Sequence, residues 1–145
     1  MTATTTFSPV APTAVPEPRA TSTKPIWRTG ALAGLAASFA TSAFAASAHA
    51  LDVSLKVGGK AIPVLGFAQL TFVFTMVGTL IAAQLSHRAS RPRHTFVVTT
   101  LVLTALSIVP GVLADAQTAT RLTLALTHVI AAAIVIPALA SRLTD

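Results

Sequence analysis

His128 is the one ionisable side chain lying deep inside an uncharged stretch of this 145-residue sequence, seven residues beyond Arg121. On a helix that separation is about 10 Å along the axis, so the imidazole would sit well away from either end. Imidazole is the side chain whose charge changes near neutral pH, and an ionisable group at such depth suggests a proton path or a ligand contact. Ser107 and Thr104 lie in the preceding uncharged stretch. If the two stretches are antiparallel helices turning near Thr118, Ser107 reaches the depth of His128, and a Ser107–His128 hydrogen bond is expected. Nucleophilic catalysis would need a third, orienting group. All four acidic residues, Glu17, Asp52, Asp115 and Asp145, fall outside these stretches. The same lack of carboxylates argues against proton-coupled export, and the absence of cysteine excludes disulfides, iron–sulfur clusters and thiolate metal sites. No catalytic, cofactor or metal site is expected, the chain reads as a non-enzyme, and a neutral structural role for His128 is favoured over a polar path through His128, Ser107 and Thr104.

The elements that carry these residues follow from charge spacing. Only 10% of the residues are charged and 53% are hydrophobic, against about 25% charged in an ordinary soluble domain. Uncharged runs of 23, 27, 21 and 20 residues separate Arg28 from Asp52, Lys60 from Arg88, Arg93 from Asp115 and Arg121 from Arg142. About 20 helical residues cross a bilayer core, and a lipid-exposed backbone must satisfy its own hydrogen bonds. The runs are too long and too uniformly apolar for membrane barrel strands. The fold class is therefore an all-α integral membrane bundle of four transmembrane helices, at about 27–50, 64–86, 95–114 and 120–141, within a domain covering 26–145. Residues 1–25 hold five prolines and seven threonines with few large apolar side chains, and read as a disordered tail.

The net charge of +6 does not indicate nucleic acid, because the basic residues punctuate apolar runs and do not populate one folded face. Seven of them, including Arg88, Arg91 and Arg93 of a short loop, fall at one set of helix ends, and three (Lys56, Lys60 and Arg121) fall at the other. The excess of basic residues places both termini and the Arg88–Arg93 loop in the cytoplasm of a plasma-membrane protein, with the alternative that the loop also holds anionic headgroups. Residues 51–62 alternate in part and contain Gly58-Gly59, which permits a short hairpin. The segment ending Ala48-His49-Ala50 imitates a secretory signal with its cleavage site. The long Pro/Thr-rich lead and the spanning length of the run favour a retained first helix.

Helical spacing brings Gly30, Gly34, Ala37, Thr41, Ala45 and Ala48 to one face of the first helix, with Leu32, Leu35 and Phe39 opposite. Small-residue faces allow close helix approach, and packing within the bundle is favoured over dimerisation. Thr71, Thr75, Gly78 and Ala82 form a similar stripe on the second helix, Thr100, Thr104, Ser107 and Gly111 on the third, and Thr120, Thr123, Thr127 and Ala131 on the fourth. Leu122, Leu126, Val129, Ile130 and Ile136 are assigned to lipid.

The segments Trp27-Arg28-Thr29-Gly30-Ala31-Leu32-Ala33-Gly34, Arg91-Pro92-Arg93-His94-Thr95-Phe96-Val97, Leu106-Ser107-Ile108-Val109-Pro110 and the His128 helix through Ala140 together resemble a family of small four-helix membrane proteins of unknown function from high-GC Gram-positive bacteria. The resemblance covers about residues 26–143. It implies four spans and brings no reaction, substrate or cofactor. The expected role is that of a structural or interaction component of the cell membrane, with the bilayer and a second copy or another membrane protein as partners. The alternative is a small transporter or channel subunit.

Overall fold

The computed structural model describes residues 24–145. Four helices, α1 (Lys24–Ala50), α2 (Val64–Arg88), α3 (Pro92–Leu113) and α4 (Thr118–Ala140), run up and down, and a two-stranded hairpin, β1 (Lys56–Val57) and β2 (Lys60–Ala61), lies between the first two. At 22 to 27 residues the helices are about 33 to 40 Å long, and all four are long and apolar enough to cross a membrane. The expected tail lies outside the described residues as far as position 23. Its last two residues already belong to α1, because Pro25 stands in the first turn, where a helix does not use the missing N–H.

Proline also sets the entry to α3, with Pro92 in its first turn and Arg91 as its N-cap. Pro110 and Pro137 lie inside α3 and α4, which continue for three residues beyond each. Gly58 and Gly59 adopt φ of 55° and 77°, the positive values that a type I′ hairpin turn needs at both central positions. The resulting antiparallel register pairs Lys56 with Ala61 and Val57 with Lys60.

Each helix packs on its sequence neighbours, and α1 closes the ring against α4. One apolar cluster joins Ile26, Ala82, Ala83, Phe96, Leu139, Ala140 and Leu143 at the end that carries the N-terminus of α1 and the C-terminus of α4. A smaller one joins Ala45, Leu55 and Phe67 at the hairpin end. Ile136, expected to meet lipid, instead packs against the first cluster. There the buried α2 side chains are the small Ala82 and Ala83, and larger half-buried ones pack around the cluster, Ile81 and Leu85 from α2, Val97 from α3, and Val135 and Ile136 from α4.

The hairpin end is tied together by polar contacts. The Gly58 N–H donates to Asp115 O at 2.9 Å, the Ser54 hydroxyl donates to Gln117 Oε1 at 3.2 Å, and the Thr120 hydroxyl donates to Ser54 O. At the other end the His94 N–H donates to Asp145 Oδ1 at 3.1 Å, seating a carboxylate on the N-terminus of α3.

Candidate functional site

The bundle has its polarity inside. Ser38, Thr41, Thr75, Thr79, Thr120, Thr123 and Thr127 are buried, while Leu32, Leu35, Phe39, Phe74, Leu106 and Leu122 are between 59% and 79% exposed. A helix in water turns its leucines inward, whereas helices in lipid gain little from doing so and approach through small and hydroxylated residues. Gly30 and Gly34 both face α2: a Cβ on Gly30 would overlap the Thr79 side chain, and one on Gly34 would stand 3.2 Å from the Phe72 ring. Gly78, expected to pack likewise, has no neighbouring atom within 4 Å of where its Cβ would be. The buried line of α2 runs through Thr75, Thr79, Ala82 and Ala83, and Gly78 is turned to its side. Thr79 is the contact residue that the sequence reading missed, although its spacing of four and eight residues from Thr75 and Thr71 marks the same face.

Two side-chain hydrogen bonds cross between helices among the described residues, both joining α1 to α2. The Ser38 hydroxyl donates to Ala68 O at 3.0 Å, and the Thr41 and Thr71 hydroxyls meet at 3.1 Å. Thr41 is also 2.9 Å from Ala37 O. One proton per hydroxyl then makes Thr71 the donor to Thr41 when Thr41 donates to Ala37 O.

His128, Ser107 and Thr104 are all half-buried, but no hydrogen bond joins His128 to Ser107. The His128 Nδ1–H donates to Leu124 O at 2.7 Å, the Ser107 hydroxyl to Thr104 O at 2.7 Å, and the Thr104 hydroxyl to Thr100 O at 2.8 Å. The expected Ser107–His128 pair is thereby corrected. Each group finds a carbonyl three or four residues back on its own helix, which satisfies it without requiring two helices to be held in register.

Arg88, Arg91 and Arg93 are exposed on α2, at the N-cap of α3 and in its first turn. At the hairpin end, an open cleft of about 460 Å³ is lined by His49, Asp52, Ser54, Lys56, Ile62 and neighbouring residues. Asp52 adopts φ 61° in the turn that ends α1, where its N–H donates to His49 O and the Val53 N–H to Ala48 O, both at 3.1 Å. Among the described residues no group of three or more His, Asp or Glu could hold a metal ion.

No curated protein and no solved structure matches the chain. One family model does, over residues 21–145, a span that takes in all four helices, the hairpin and the basic loop together. With that coverage, the chain belongs to the family of unknown function DUF6069.

Proposed function

We propose that this chain is a multi-pass protein of the cell membrane, with both termini and the Arg88–Arg93 loop in the cytoplasm, acting as a non-enzymatic structural or interaction component. The observation that carries the reading is the inverted polarity of the bundle, with threonines buried between helices and large apolar side chains turned outward on all four. Lipid suits that surface, since contiguous apolar patches beyond a few hundred Å² are rare on soluble monomers. The orientation rests on the basic residues gathered at one end. The sequence resemblance to small membrane proteins of high-GC Gram-positive bacteria belongs to the same proposal. Partners on this reading are the bilayer and a second copy or another membrane protein.

Carbonate extraction of cell membranes followed by cysteine labelling tests it, because the chain has no cysteine of its own. Lys60→Cys at the exposed hairpin and Ser90→Cys in the exposed basic loop leave the packed interior untouched. The protein should stay in the carbonate-resistant pellet, and an impermeant maleimide should label position 60 but not position 90 in intact cells. Extraction by carbonate would refute the membrane reading, and the opposite labelling would invert the orientation.

A further inference from the structure

Arginines from three separate segments meet at one end of the bundle: Arg28 on α1, Arg88, Arg91 and Arg93 around the α2–α3 turn, and Arg142 after α4. All five are exposed. Their shared level follows from the apolar cluster that binds Ile26, Phe96, Leu139 and Leu143 just inside them, and from the His94–Asp145 hydrogen bond that ties the last residue to the start of α3. Asp145 is the one acidic side chain at this end among the described residues, and an oxygen of its carboxylate already accepts that backbone N–H. The hairpin end differs, since Lys56, Lys60 and Arg121 share it with Asp52 and Asp115. Trp27, 42% exposed beside Arg28, marks the basic end as the depth where an amphipathic ring meets headgroups.

We propose that this arginine-ringed end holds anionic phospholipid headgroups in preference to zwitterionic ones, making the folded protein a local collector of acidic lipid. The inference rests on the membrane-spanning reading above and goes beyond the part basic residues play in setting orientation during insertion. The occupant follows from charge and position: five guanidinium groups face outward at headgroup level, and guanidinium pairs with phosphate oxygens through parallel N–H donors. Each arginine engaged near an anionic surface is worth about fivefold in local lipid concentration, attenuated by salt.

Trp27 is the single tryptophan and therefore a built-in reporter. The full chain is reconstituted into phosphatidylcholine vesicles containing phosphatidylglycerol, with equal small fractions of either lipid brominated, and quenching of Trp27 is compared. Brominated phosphatidylglycerol should quench the more strongly, with an apparent enrichment of about fivefold or more that falls in 0.5 M salt. The triple variant R88Q/R91Q/R93Q should lower the enrichment, R142Q alone should lower it by a smaller factor, and K56Q/K60Q at the hairpin end should leave it unchanged. If the triple variant does not fold, the salt dependence and R142Q still decide. Equal quenching by both lipids, or an enrichment as sensitive to K56Q/K60Q as to the arginine variants, overturns the headgroup preference alone. Quenching by neither lipid overturns the membrane-spanning reading and this inference with it.

Discussion

The Thr79 side chain occupies the space that a Cβ on Gly30 would need. Its hydroxyl is held in place by donating to Thr75 O at 2.8 Å, so it cannot swing away without losing that bond. Gly30 therefore lets α1 and α2 approach, and Gly78, with open space beside it, does not. Gly30→Ala should destabilise the bundle by about 1–3 kcal/mol through overpacking, less the helix propensity gained. Gly78→Ala should be neutral or stabilising by up to about 1 kcal/mol. Thermal unfolding of both variants in one detergent provides the comparison, and equal melting temperatures would remove Gly30 from the packing account.

Much of this architecture was legible in the sequence because charges are costly in an apolar surround and mark where each helix must end. The expected bounds of α2 and α4 agree with the structure to within two residues, and the face of α1 through Gly30, Gly34, Ala37, Thr41, Ala45 and Ala48 is buried throughout. Rotation of the other helices was harder to read. A threonine is nearly as content against its own backbone as against a neighbour, so the stripe of α3 gave no sign that Ser107 bonds Thr104 rather than His128, whereas on α2 the four-residue spacing of Thr71, Thr75 and Thr79 does mark the packed face and Gly78 stands one position off it. Depth along an axis follows from counting residues. Which neighbour a given face meets depends on the side chains other helices bring, as Ile136 shows by packing against a cluster drawn from all four helices.

His128 bonds within its own turn, so its loss should be felt locally. His128→Ala removes the Nδ1–H that reaches Leu124 O and should lower stability by about 0.5–1.5 kcal/mol. Reconstituted vesicles should show the same proton permeability with and without the imidazole. A variant that melts normally but abolishes a pH-dependent flux would replace the structural role with a transport one.

Asp52 ends α1 in the left-handed region that favours glycine, with the paired turn hydrogen bonds of a helix C-terminus. Asp52→Gly should therefore raise stability by up to about 1 kcal/mol, since the strain it relieves outweighs the extra freedom of the unfolded chain. A β-branched residue there is strained whatever space surrounds it, and Asp52→Val should melt earlier than the parent. A glycine variant that melts below the parent would show that the carboxylate itself supports the turn.

Thr120 is fully buried and its hydroxyl donates to Ser54 O, linking the first turn of α4 to the segment that leads into the hairpin. Ser54 returns the link by donating to Gln117, and Gly58 donates to Asp115, so three contacts hold the two loops together at one end of the bundle. Thr120→Val keeps the volume but takes away the donor, leaving the Ser54 carbonyl without its partner at a cost of about 1–3 kcal/mol. Because the contact joins loops and the helices pack on one another independently of it, the loss should appear first as faster hydrogen exchange at the Gly58 amide, ahead of any change in helix content. Unchanged protection of Gly58 in that variant would mean the hairpin is held by Leu55 and Ile62 in the apolar cluster and that the threonine contact is incidental.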